Sequence, residues 1–206
     1  LKQYIFPTVY GTGRNNEHRR IGQFEMIKTQ SEIVFVGDSI TEQAIWYEYF
    51  PNLKVANRGV AGDKTGDILL RTKSIISLNP KILFIMAGVN DIYLGVKISE
   101  ILSNYEKLIK LFKSKNIKVY VQSTIQCEIA KTGLQRVKAI NKLNKELERL
   151  AKIHKVNFLN LNKLSAKGGL TSELTVDGKH LSAKGYKIWI ELITIKLEEV
   201  SYTVKN

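Results

Sequence analysis

The chain has 206 residues, 44% of them hydrophobic, enough to bury a sizeable core in one domain. No apolar run reaches the roughly 18 residues that cross a bilayer, and a single cysteine, Cys127, excludes an internal disulfide framework. The net charge of +13 comes without any RNA-binding or zinc-finger signature, so charge alone names no nucleic-acid partner.

Much of the excess charge lies between Lys97 and Lys155, where 14 Lys and Arg stand against 5 Glu. Two amphipathic helices carry those charges, and a solvated basic face is the simplest account. The functional account is a surface that steers acidic glycans, anionic head groups or nucleic acid. Cys127 reads as a buried structural thiol and fits a reducing, cytoplasmic setting. The chain opens at Leu1 rather than Met, so a trimmed upstream segment is left open.

Residues 1–16 read as an irregular N-terminal arm, interrupted by Pro7, Gly11 and Gly13, and 17–206 as one domain. Glu17–Lys28 has the spacing of a helix, with Ile21 and Phe24 on one face and His18 in a packing or surface role. Ile33–Val36 is a short β-branched and aromatic run, the composition of a strand buried on both faces. It stops at Gly37-Asp38-Ser39, and a helix is expected over Ile40–Phe50, closed by Pro51.

Leu53–Asn57 reads as a second strand that enters the turn Arg58-Gly59-Val60-Ala61-Gly62-Asp63, followed by a helix over Lys64–Ile76. The third strand, Lys81–Ala87, ends in Gly88-Val89-Asn90-Asp91. A helix over Ser99–Lys115 presents Ile101, Tyr105, Leu108 and Phe112 inward, and Ile117–Gln122 follows as the fourth strand. Leu134–His154 carries a core-facing stripe at spacings of 3 and 4; Val156–Leu161 is the fifth strand. A loop rich in Lys, Gly, Ser and Thr leads to Asp177-Gly178-Lys179-His180, and Ala183–Val200 is the last helix. Strands alternating with helices imply right-handed crossovers, hence a three-layer α/β/α sandwich with a flavodoxin-like five-stranded parallel sheet of order 2-1-3-4-5.

In a parallel sheet every strand's carboxyl end lies on one edge, so Ser39, Gly62, Asn90, Asp177 and His180 are all expected there. Ser39 offers a hydroxyl that becomes a nucleophile once a base takes its proton. His180 is the natural base, since an imidazole with an ordinary pKa near ~6.5 can accept and return a proton at neutral pH. Asp177 could hold the other ring nitrogen. The backbone N–H groups of Ser39 and Gly62 and the Asn90 amide could then meet an oxyanion. Taken singly these signals are weak. Ser39 alone reads best as a helix N-cap, Asp63 and Asp67 as helix-start carboxylates, and Asp38 and Asp91 as loop braces.

Four segments in order, G-D-S-I at 37–40, N-R-G-V-A-G-D at 57–63, G-V-N-D at 88–91 and D-G-K-H-L at 177–181, together resemble the SGNH (GDSL-type) hydrolase family. The phrasing is similar to the branch of platelet-activating-factor acetylhydrolase-like esterases and bacterial carbohydrate O-acetylesterases. The resemblance implies Ser39 as nucleophile, Asp177 and His180 completing a triad, and Ser39, Gly62 and Asn90 in the oxyanion hole, with no cofactor and no metal. Those roles agree with the positional reading.

An α/β-hydrolase elbow is excluded because Thr41 occupies the place of its second glycine. A metal-dependent phosphatase-like domain would use Asp38, Asp63, Asp91 and Asp177 but leave Asn90 and His180 idle. A non-catalytic module binding acidic polymers would leave all five positions idle. The expected activity is therefore hydrolysis of short acyl esters, acetyl foremost, on a small molecule or a glycan that is acidic if the basic surface takes part. A lysophospholipase or thioesterase is the alternative within the family. Ile92–Leu94, Thr124–Glu128 and Leu170–Val176 are the expected pocket walls, no nucleic-acid partner is expected, and a homodimer is left open.

Overall fold

The computed structural model describes residues 13–166 and 169–200. Its elements run in the order α1 (Gly13–Met26), β1 (Ile33–Gly37), α2 (Ser39–Glu42), α3 (Trp46–Tyr49), β2 (Val55–Gly59), α4 (Thr65–Leu70), α5 (Thr72–Ile76), β3 (Ile82–Met86), α6 (Val89–Tyr93), α7 (Ile98–Ser114), β4 (Lys118–Gln122), α8 (Ile129–Thr132), α9 (Leu134–Ile153) and β5 (Asn157–Leu159). A two-stranded hairpin, β6 (Ser165–Ala166) with β7 (Gly169–Leu170), precedes α10 (Ala183–Glu198). The large sheet is parallel in the order β2-β1-β3-β4-β5, as the alternation of strands and helices requires. Among the described residues no helix is long and apolar enough to cross a membrane.

The alternation of side chains along each strand divides the core. Ile33, Phe35, Phe84, Met86 and Tyr120 face α2, α3 and α10, whereas Val34, Val36, Leu83, Ile85 and Val121 face α4, α5, α7 and α9. Strands β1 and β3 are buried at every position, which is why they read as continuous apolar runs. On the first face Phe35 stacks on Trp46 at 3.8 Å between ring centroids, and Trp46 meets Trp189 of α10 edge-on at 5.1 Å. This aromatic layer packs β1, the strand that leads to Ser39, against α3 and α10.

Several boundaries differ from the sequence expectation, each for a physical reason. The expected helix over Ile40–Phe50 is two helices. The Trp46 indole N–H takes the Thr41 carbonyl and the Asn57 amide takes those of Glu42 and Ala44, leaving them to side chains rather than to the next helical turn. The expected helix over Lys64–Ile76 breaks at Arg71, whose side chain turns inward to Asp63. Helix α1 begins at Gly13 rather than Glu17, so 13–16 are not irregular; residues 1–12 lie outside the described residues. The segment after the third strand, from Gly88-Val89-Asn90-Asp91 on to Tyr93, forms the short helix α6, and the 162–175 loop contains the hairpin.

Candidate active site

Ser39 is the first residue of α2, two positions beyond the end of β1. Its cap is not its own side chain, as the isolated motif suggests, but Asp38, whose Oδ1 accepts the Ile40 N–H at 3.0 Å. The Ser39 hydroxyl is thereby left for other work. Gly37 makes the reversal possible: a Cβ there would lie 2.2 Å from the Thr41 hydroxyl and 2.3 Å from the Met86 carbonyl. The Tyr186 hydroxyl of α10 bonds the Ile40 carbonyl at 2.7 Å and holds α2 against the sheet.

The ends of β1 and β2 lie side by side, with Gly37 opposite Gly59 and Met86. The Val60 N–H donates to the Gly37 carbonyl at 3.0 Å, and the chain then turns through Gly62, exposed and at φ 85°. That angle is in the left-handed region that glycine tolerates. The Ala61 N–H is held by Glu42 Oε2 at 2.5 Å. Asn90, in α6, donates one amide hydrogen to the Asp63 carbonyl at 3.0 Å, which ties the β3 loop to the β2 loop and leaves its second amide hydrogen available.

Asp63 is not a helix-start carboxylate. It pairs with the Arg71 Nε at 2.6 Å, both side chains buried, and Arg71 Nη2 reaches on to the Gly37 carbonyl at 3.1 Å. Asp67, in contrast, does accept the Lys64 N–H at the start of α4. Asp91 accepts both the N–H and the hydroxyl of Thr65, and the Asn104 amide donates to that hydroxyl. Burial pushes the Asp91 pKa up against these bonds. Asp38 is wholly buried, and burial raises its pKa to about 7 despite the Ile40 N–H and the nearby Lys179 charge.

The fourth segment arrives from the far side of the sheet. Thr175 and Leu181 form an antiparallel bridge, and the Thr175 hydroxyl accepts the Gly178 N–H while donating to the His180 carbonyl. The turn so clamped projects His180 toward Ser39. His180 Nε2 stands 2.9 Å from the Ser39 Oγ, and His180 Nδ1 stands 2.6 Å from Asp177 Oδ2. Asp177 Oδ1 also accepts the N–H groups of Lys179 and His180. Burial raises the Asp177 pKa, but the His180 ring and these two N–H groups outweigh it and hold the carboxyl down at about 2. An ionised carboxylate only accepts, so Nδ1 carries the imidazole hydrogen and the Nε2 lone pair faces the serine hydroxyl.

Five residues expected from the sequence thus come to one edge, three of them in a continuous hydrogen-bonded line. The four aspartates that a metal-dependent phosphatase-like site would use are each engaged by protein groups: Asp38 by Ile40, Asp63 by Arg71, Asp91 by Thr65 and Asp177 by His180. The strand-four wall is different from expectation: Thr124–Cys127 is buried, and Thr124 bonds the Ala87 carbonyl instead of lining an open pocket. Arg71 and Asn104 were missed. The signal for Asn104 is a polar residue on the inner stripe of α7, between Ile101 and Leu108; an arginine inside the apolar run before Thr72 is the weaker signal for Arg71.

The fold is thus an α/β/α sandwich with a hydrogen-bonded Ser–His–Asp line at the carboxyl edge of its parallel sheet. The profile of the GDSL-like Lipase/Acylhydrolase family matches residues 35–188, and the chain is a member of that family. The N-acylneuraminate cytidylyltransferase of Streptococcus agalactiae is 24% identical over 87% of this chain, which spans only 42% of that protein's length. The human platelet-activating factor acetylhydrolase IB subunit alpha2 is 25% identical, over 82% of this chain and 79% of its own. Among solved structures, a GDSL-like lipase from Bacteroides thetaiotaomicron superposes with a TM-score of 0.76 at 26% identity, covering 90% of this chain and 98% of the lipase. The acetylxylan esterase Axe2 from Geobacillus stearothermophilus shares the fold, with a TM-score of 0.68 at 18% identity over 86% of this chain and 97% of Axe2.

Proposed function

We propose that this chain is a serine esterase that removes short acyl groups, acetyl foremost, from a carbohydrate. The observation that carries the reading is the line Ser39 Oγ, His180 Nε2, His180 Nδ1, Asp177 Oδ2, with contacts of 2.9 and 2.6 Å. Ser39 Oγ attacks the ester carbonyl carbon as its proton passes to His180 Nε2. The negative charge that develops on the carbonyl oxygen is met by the N–H groups of Ser39 and Gly62 and the free amide hydrogen of Asn90. Collapse breaks the bond to the alcohol oxygen, which takes the proton back from Nε2 and leaves acyl-Ser39. Water then attacks the acyl carbon, again giving its proton to Nε2, and the carboxylic acid departs as Ser39 regains its hydrogen. No cofactor takes part in any step.

Short acyl groups fit because Ile125, Cys127, Leu170 and Leu174, four of the five apolar residues of two expected pocket walls, are committed to the core, which leaves Val176 as the exposed one. The carbohydrate side draws on relatives whose names contain acetylxylan and N-acylneuraminate. The test is kcat/KM across acetyl, butyryl and octanoyl esters, run beside Ser39→Ala. Acetyl is expected to lead. Ser39→Ala should lose at least ~10⁴-fold in kcat, and labelling by a fluorophosphonate with it, at unchanged Tm. A preference for octanoyl would move the reading to a lysophospholipase or thioesterase, and a Ser39→Ala enzyme of full activity would overturn it.

A further inference from the structure

Beside the Ser39–His180 line, three segments bring Tyr93, Arg136 and Lys179 together. Tyr93 ends α6, Arg136 lies in the first turn of α9, and Lys179 stands between Asp177 and His180. The Arg136 guanidinium carbon lies 4.4 Å from the Tyr93 ring centroid and the Lys179 Nζ 5.3 Å from it. A ring face attracts cations through its quadrupole but does not neutralise them. The phenol stays protonated, since burial and the Cys127 thiol beside it push its pKa well up.

Among the described residues, neither cation has a carboxylate partner, whereas neighbouring Lys131 pairs with Glu128 at 3.2 Å and Lys184 pairs with Glu173. Arg136 is held by its Nη1 on the Thr132 carbonyl at 2.9 Å, a bond that leaves its charge intact. Both cations act on the buried Cys127, and Lys179 also acts on Asp38, the residue next to Ser39. Two like charges held at one ring repel each other, and an anion bound near both lessens that repulsion. The planar guanidinium fork matches a carboxylate in particular.

We propose that Arg136 and Lys179, oriented by Tyr93, form an anion subsite that selects ester substrates whose alcohol portion carries a carboxylate, such as O-acetylated acidic sugars. This rests on Ser39 and His180 acting as an esterase site, so the experiment separates the two. It compares kcat/KM on an O-acetylated methyl uronoside and on the neutral O-acetylated methyl hexoside that has a hydroxymethyl group in place of the carboxylate, with an aryl acetate alongside.

The uronoside is expected to lead by about tenfold, mainly through KM. That lead shrinks as NaCl rises from about 0.02 M to about 0.5 M. Arg136→Gln and Lys179→Gln each cut the uronoside-to-hexoside ratio by about fivefold or more. Arg136→Lys, which keeps the charge, retains more of it. Lys142→Gln, exposed further along α9, leaves the ratio unchanged. Equal kcat/KM on both sugars overturns the subsite while leaving the esterase intact. A ratio that falls with Lys142→Gln as much as with Arg136→Gln overturns it too, in favour of a diffuse basic field. No hydrolysis of any of the three acetates overturns the esterase reading and the subsite with it.

Discussion

Ser39 and Asn90 stand on short helices among polar groups that are buried and cross-bonded, whereas Asp177 and His180 stand on a turn that meets solvent. Asp38, Asp63, Thr65, Arg71 and Asp91 are all 5% exposed or less. The Asp177 side chain is 50% exposed and that of His180 18%. On the first side, bonds join β1 to the β2 loop, the β2 loop to α5 and the β3 loop to α4. On the second, most fixing bonds run between residues 175 and 181, the Glu128 N–H adds one to the Gly178 carbonyl at 2.8 Å, and one contact, across 141 residues of chain, reaches the serine. The nucleophile side is held by the fold. The base side is held by its own turn and aimed by the fold, so the two sides should fail differently when broken.

Asp177→Asn is the sharpest cut on the exposed side. The amide keeps the shape but can donate to Nδ1, which favours the imidazole tautomer with its hydrogen on Nε2 and no lone pair toward Ser39. We expect kcat to fall by about 10⁴ with Tm within ~2 °C of the parent. Steady-state kinetics and a thermal melt on the same sample check both halves. A kcat within tenfold of the parent would show that something other than Asp177 orients the ring.

Arg71→Ala cuts the buried side. It removes the guanidinium that the buried Asp63 carboxylate accepts from at 2.6 Å, and releases the Gly37 carbonyl from Nη2. Removing one member of a buried pair costs about 3–5 kcal/mol, so urea denaturation should register a loss of that size. Activity should fall as well, because the Asp63 carbonyl holds Asn90. The contrast with Asp177→Asn, inactive yet stable, is the comparison in its measurable form. If Arg71→Ala unfolds at the parent's urea midpoint, the buried network does not hold the site.

The part of this division that could be read from the sequence follows from how each part is encoded. β1 and β3 are buried on both faces, and such strands show up as unbroken apolar runs whose parallel pairing brings Ser39, Gly62 and Asn90 to one edge. Asp177 and His180 were legible because the turn that joins them is local. The breaks at Gln43–Ile45 and Arg71 were not, since they depend on Asn57 and Asp63 reaching across from other elements, which leaves no periodic signature. The partner of Asp63 was hidden for the same reason: a carboxylate before a helix reads as a helix-start residue until a distant arginine is folded onto it. Tyr93, Arg136 and Lys179 lie on three segments, and only the tertiary structure stacks them.

Asp38 joins the two sides: it is buried with the first and lies under the Lys179 charge of the second. Its folded pKa is about 7, above the ordinary value of 3.8, so the native state prefers the neutral acid. The stability this group contributes is fully present below about pH 4 and is lost as pH rises through about 7, because the unfolded chain ionises first. Asp38→Asn is a permanent imitation of the neutral acid and keeps an oxygen for the Ile40 N–H. The variant and the parent should therefore be equally stable near pH 4, with the variant ahead at pH 8 by an amount on the order of 2–4 kcal/mol. Urea denaturation of both proteins at the two pH values measures this. The same pair of measurements in a Lys179→Gln background tests the link between the two sides. Loss of that ammonium removes a charge that favours ionised Asp38, so the advantage of Asp38→Asn at pH 8 should grow in the Lys179→Gln background. An advantage equal at both pH values would mean that Asp38 does not change its protonation between them, and that the exposed turn has no electrostatic hold on the residue beside Ser39.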